Sequence, residues 1–115
     1  MITYGVNKGR ITIERLVETC CYNPAKFQGV LPKKGVIAVG SDADIVILDT
    51  DRKIVPKAAN LYSSSDINVY EIMGVELQGW PMMTILRGKI IMEDGRIVGR
   101  KGIGRYIPVK LVNQK

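Results

Sequence analysis

Asp42, Asp44 and Asp49 fall within eight residues and are the nearest approach in this chain to a cluster that could hold a hard cation. Their spacing does not fit a calcium loop, because Asp42-Ala43-Asp44 runs straight into Ile45-Val46 with no glycine turn and no distal glutamate. A turn accounts for them instead. Asp44 is expected to accept hydrogen bonds from the turn's own amides, and Asp49 to close the strand that follows. Gly35-x-x-x-x-Gly40-Ser41 has the outline of a phosphate loop but lacks a lysine directly before Ser41 and a helix after it. Gly99-x-x-Gly102-x-Gly104 reads as a basic connector with no strand–turn–helix context. No serine sits in a nucleophile elbow. Trp80-Pro81 and Tyr70 read as core and turn residues.

The chain has no histidine. It therefore lacks the commonest metal ligand and the side chain most used for acid–base chemistry near neutrality. Ser–His, Cys–His and histidine-based zinc sites cannot be built from it alone. Its two cysteines, Cys20 and Cys21, are neighbours. On a helix they point about 100° apart, too far round to pair or chelate together easily. They read as small apolar residues left free in a reducing compartment, which favours the cytoplasm. No catalytic, cofactor-binding or metal-ligating residue is assigned on this reading.

The chain has 115 residues, enough for one domain with a core. Apolar residues make up 46% and charged residues 24%, values that exclude wholesale disorder. No run approaches the ~20 apolar residues of a membrane span. Met1 to Arg10 has no apolar core of signal-peptide type. The net charge of +6 is unevenly placed: residues 1–86 hold nine basic and nine acidic groups, and residues 87–115 hold eight basic against Glu93 and Asp94. A basic stretch can bind nucleic acid by releasing counterions. With Tyr106 as its one aromatic there is no stacking platform, so nucleic acid is not the expected partner.

Two kinds of periodicity divide the chain. Thr12 is a suitable N-cap, and Glu14 follows in the first turn, where the helix dipole favours a carboxylate. Ile13, Leu16, Val17, Cys20 and Cys21 then recur at the spacing of one buried helical face, opposite Arg15, Glu18 and Thr19. Asn23-Pro24 is expected to restart the helix, and Gly29 to end it in the left-handed conformation. After a 31–35 linker the period becomes that of strands. Val36–Val39, Ile45–Leu48, a brief Lys53–Val55, Val75–Leu77, Met82–Leu86, Lys89–Met92 and Arg96–Val98 are the candidates. Residues 57–74 look irregular, with Ser63-Ser64-Ser65-Asp66 the most loop-like part. Asp94-Gly95 between apolar runs is a strong hairpin signal. The fold class is α+β, mainly β, with short N-terminal helices before a sheet.

Several segments in order resemble cyclic amidohydrolases: Lys8-Gly9-Arg10-Ile11-Thr12, Asn23-Pro24-Ala25-Lys26, and the run from Lys34-Gly35 through Gly40-Ser41-Asp42-Ala43-Asp44 to Asp49. Gly79-Trp80-Pro81, Ile85-Leu86-Arg87-Gly88-Lys89 and Gly102-Ile103-Gly104-Arg105-Tyr106 resemble the dihydropyrimidinase/hydantoinase branch. Where that branch passes from Tyr-Glu directly to glycine, this chain inserts Ile72-Met73 before Gly74. The resemblance implies a parent enzyme that opens cyclic amides of dihydropyrimidines or hydantoins in a (β/α)₈ barrel. It implies two divalent metals, usually zinc, whose bridging hydroxide attacks the ring carbonyl. The family's ligands, four histidines, a carboxylated lysine and an aspartate, lie upstream of the matched stretch.

By the same resemblance, residues 1–30 correspond to a late outer helix of the barrel and its exit. Residues 31–98 correspond to part of a composite β-sandwich, and residues 99–115 to a basic C-terminal tail. The expectation is a structural portion that is catalytically silent alone. It would need the remainder of the parent enzyme, or self-associate through its helix face and strand edges. The alternative from another class is a small basic binding or oligomerisation module with a nucleic-acid or protein partner and no enzymatic activity.

Overall fold

A computed structural model describes residues 1–64 and 67–109 of the chain. A π-helical turn, Ile2–Val6, leads to α1 (Ile13–Val17), which continues through a second π turn, Glu18–Tyr22, into α2 (Asn23–Phe27). The Thr12 hydroxyl oxygen accepts a hydrogen bond from the Arg15 amide at 3.2 Å, so the expected cap is present. Gly29 adopts φ 67° just past the helix, as expected.

Asn23 does not restart anything, because its own φ and ψ are helical and the run is continuous. Pro24 brings no amide hydrogen, and its ring would press on the carbonyl of Cys20 in an unbroken α register. The wider π turn immediately ahead of it relieves both problems without a break.

The sheet has four antiparallel strands in sequence order, β1 (Ile45–Ile54), β2 (Leu77–Leu86), β3 (Lys89–Glu93) and β4 (Arg96–Ile97). Both tight turns have positive φ at their two central residues: Arg87 46° and Gly88 76°, then Asp94 43° and Gly95 77°. This is the twist that two-residue hairpins require, and the Asp94-Gly95 expectation holds.

The structure corrects four expectations. Val36–Val39 forms no strand, and Ile37 and Val39 are exposed, because no neighbouring strand among the described residues supplies a ladder. Ile45–Leu48 and Lys53-Ile54 are not separate: β1 runs from Ile45 to Ile54, with an irregularity between Asp49 and Lys53 that absorbs the polar residues, and Val55 lies outside it. Trp80-Pro81 is not a turn but lies inside β2, which also reaches back to Leu77. Pro81 is tolerated there because β3 extends only as far as Met83 opposite β2. Residues 57–74 are less irregular than expected: Ala58–Asn60 forms a 3₁₀ turn, and Val69–Ile72 forms α3, capped by the Asn68 side chain. Ser65 and Asp66 of the serine-rich stretch, and Lys110 and Lys115 of the tail, lie outside the described residues.

Helices and sheet are joined at few points. The Thr3 hydroxyl donates to the Gln78 carbonyl at 2.8 Å and accepts from the Gln78 amide at 3.0 Å, so it completes the β2 backbone there. The Asn7 amide donates to the Thr50 carbonyl at 3.3 Å. Among the described residues no helix is long and apolar enough to cross a membrane.

Candidate functional site

Burial is sparse. Leu16, Ala25 and Pro56 alone count as buried among the described residues. The expected helical stripe is therefore formed but largely uncovered: Leu16 packs inward, while Ile13, Val17, Cys20 and Cys21 are exposed. Together with Tyr22 and Ile37, Ile13 and Val17 border an open apolar groove of about 540 Å³. The sheet repeats the pattern. Val46, Ile47 and Leu48 are contiguous apolar residues whose side chains alternate between the two faces of β1, and all three are exposed.

The area involved is large. The accessible surface is 9239 Å², against about 6,300 Å² for a folded monomer of this mass. The radius of gyration, 16.5 Å, exceeds the ~13 Å expected at this length. The chain thus exposes about half as much surface again as a compact monomer of its mass. A continuous apolar run covered on neither face has the composition of an interior strand and the exposure of a surface one. The uncovered apolar faces are thus the candidate functional site.

One polar cluster holds these faces in register. Lys34 Nζ pairs with Asp42 at 2.7 Å and also with Asp44. Asp44 Oδ1 in turn accepts the Arg87 backbone amide at 2.7 Å, and the Gly88 amide donates to the Ala43 carbonyl at 3.0 Å. The loop after the helices is thereby tied to the β2–β3 turn, where Arg87 holds its positive φ. Partial burial works to raise the Asp44 carboxyl, but the Lys34 and Arg87 hydrogen bonds outweigh it and hold the group below the usual aspartate range. Burial likewise works against the Lys34 ammonium, yet its two carboxylate partners keep it above the ordinary lysine value.

Both signs favour the folded state near neutrality. The Asp44 contribution is complete above the unfolded value of about 3.9 and is lost as pH falls through the lower folded one. The Lys34 contribution is complete below about 10.4 and is lost as pH rises through the higher folded one. Asp44→Ala is expected to cost about 1–3 kcal/mol in urea unfolding at pH 7, and the difference from the unsubstituted chain should shrink in acid. An equal difference at pH 7 and below pH 3 would contradict this role.

The aspartates singled out by sequence do not act as a unit. Asp42 and Asp44 share Lys34, while Asp49 accepts from the Asp51 and Arg52 amides at 2.9 and 3.1 Å. Asp49 therefore shapes the β1 irregularity rather than closing the strand. Asp44 serves a distant turn and not its own. Among the described residues no three of Cys, Asp and Glu converge on a point. Cys20 Sγ lies 3.5 Å from Met1 Sδ. Gly40 sits in a loop that leads into β1 and not into a helix. Trp80 borders a polar cleft with Arg52, whose guanidinium pairs with Asp94 at 2.6 Å and lowers its carboxyl. Neither the Asp44–Arg87 link nor the Arg52–Asp94 pair is legible in the sequence, because each joins residues more than forty positions apart.

A model of the amidohydrolase family matches residues 1–91. Over 107 residues the chain is 40% identical to an L-hydantoinase of Paenarthrobacter aurescens and 40% identical to a D-hydantoinase of Ralstonia pickettii. Each alignment covers 93% of this chain and 23% of the relative. A solved D-hydantoinase structure superposes with a TM-score of 0.84 at 40% identity, over 92% of this chain and 23% of that one. The dihydropyrimidinase of Brevibacillus agri does so with a TM-score of 0.85 at 34% identity and the same coverage. The chain thus spans about a quarter of the length of the relatives it matches.

Proposed function

From a chain that belongs to the amidohydrolase family and spans about a quarter of the hydantoinases it resembles, we infer the C-terminal structural portion of a hydantoinase-type hydrolase. The whole enzyme would open cyclic amide C–N bonds of hydantoins or dihydropyrimidines. This portion would frame it without doing chemistry. The exposed apolar residues of the helical stripe and of β1, in a chain that spans about a quarter of its relatives, support the reading.

Residues 1–30 would form a late outer helix of the barrel, with the Ile13/Val17 side against barrel strands. Residues 31–98 would supply one layer of a composite β-sandwich, with its other strands coming from the rest of the enzyme. Residues 99–115 would form a tail. The partner is the remainder of the parent enzyme, and self-association through the same faces is the outcome when that remainder is missing. The compartment is the cytoplasm, in keeping with two free thiols.

Two divalent metals, zinc in this reading, would serve such an enzyme, but the residues described here do not fit them. There is no histidine, and Asp42, Asp44, Asp49 and Asp94 are committed to lysine, arginine and backbone amides. Incubated with zinc and either dihydrouracil or a hydantoin, the purified chain is expected to give no ring opening above buffer by absorbance or chromatography. Metal-dependent turnover by the chain alone would overturn the assignment.

A further inference from the structure

We propose that the cleft between the β2–β3 turn and residues 102–105 binds a small phosphate-like oxyanion. The Arg87 guanidinium donates to the Ile103 carbonyl, which fastens the segment after β4 beside the turn. The cleft between them has a volume of about 370 Å³. Arg87, Lys89 and Arg105 line it together with Gly102, Ile103 and Gly104. Three side chains of its lining are cationic and none is acidic. Their charges are available to a ligand. Arg87 uses one of its five N–H groups on Ile103, and Lys89 and Arg105 have no ion-pair partner among the described residues. Asp44 also reaches the turn, but it is held by Lys34 and by the Arg87 backbone amide.

The loop adds donors of a second kind. Gly102 has φ 78°, and nothing lies within 4 Å of where a Cβ would stand on it or on Gly104. An anion can therefore approach this backbone directly. The amides of Gly102, Ile103, Gly104 and Arg105 have no acceptor among the described residues. Cations set beside free amides suit a ligand whose every oxygen accepts hydrogen bonds and whose charge offsets the repulsion among the three side chains. An apolar occupant would desolvate those cations without compensation.

The amidohydrolase assignment does not depend on this cleft, and each can fail without the other. Titration of the isotopically labelled full chain with inorganic phosphate, at an ionic strength held constant with chloride, tests the cleft by NMR. Saturable shifts centred on the amides of residues 102–105 are expected. K89Q/R105Q should weaken binding at least about tenfold. R100Q/K101Q removes the same charge outside the cleft and should weaken it less than about twofold. The amide spectrum of each variant verifies that the fold is kept. A parallel titration with phenyl phosphate identifies the source of the anion within the proposal: tighter binding than phosphate marks the end group of a larger molecule, and equal binding marks the free ion. Equal losses in the two double variants would overturn the proposal. So would shifts spread evenly over the basic residues from Arg87 to Arg105, or no saturation by about 10 mM phosphate.

Discussion

Val17→Lys combined with Ile37→Lys is expected to leave the isolated chain as stable as before while weakening its association by at least about a hundredfold. Val17 is 50% exposed and Ile37 86% exposed, so neither substitution opens a cavity or buries a charge. Such surface changes usually alter folding by less than about 0.5 kcal/mol. Both residues border the groove along the helix, however, and in a docked state each ammonium would be desolvated against an apolar partner. A hundredfold loss corresponds to about 2.7 kcal/mol, within the range of a central interface residue. Sedimentation velocity of the chain alone, and titration against its partner, read the effect. Unchanged association would show that the helical face is not a contact surface. A large loss of stability would show that these residues are core.

Gly35→Ala is expected to cost about 2–5 kcal/mol, a large fraction of the stability of a small domain. Gly35 has φ 85°, where a side chain costs about 1–2 kcal/mol on its own account. A Cβ there would also lie 2.4 Å from the Ala25 Cβ and 2.9 Å from the Cys21 carbonyl oxygen. The second contact is with helix backbone, which cannot step aside, and overpacking of this kind adds about 1–3 kcal/mol. Gly40 separates the two effects. Its φ is 89°, but nothing lies within 4 Å of the position a Cβ would take, so Gly40→Ala should show the conformational cost alone. Urea midpoints of the two variants measure the difference. Equal losses would mean that the loop does not pass close to the helix.

What could be read from sequence was local. The Thr12 cap depends on a hydroxyl three residues from its amide partner, and the Asp94-Gly95 turn on two residues that tolerate positive φ. Both signals are complete within a few positions, and both features are present. Val36–Val39 has strand composition, yet a strand exists only when a neighbour offers its ladder, and none among the described residues does. The π turn at Glu18–Tyr22 reflects the conflict between Pro24 and a helix that runs on, which a cap-and-restart reading resolves the wrong way. For the site, periodicity identified the Ile13/Leu16/Val17 stripe correctly as an apolar face. It could not say that only Leu16 would be covered within this chain. The Lys34–Asp44–Arg87 link was invisible because it spans 43 residues between the aspartate and the amide it accepts.

The most direct test of the docking role is complementation. A D-hydantoinase such as that of Ralstonia pickettii, shortened by the quarter this chain matches, is mixed with the chain. Hydantoin hydrolysis is then followed together with amide hydrogen exchange. The account predicts that neither component is active alone, that activity returns on mixing, and that Ile13–Phe27 and Ile45–Ile54 gain protection as it does. No gain in either activity or protection, from a chain that sediments alone as a compact monomer, would contradict it.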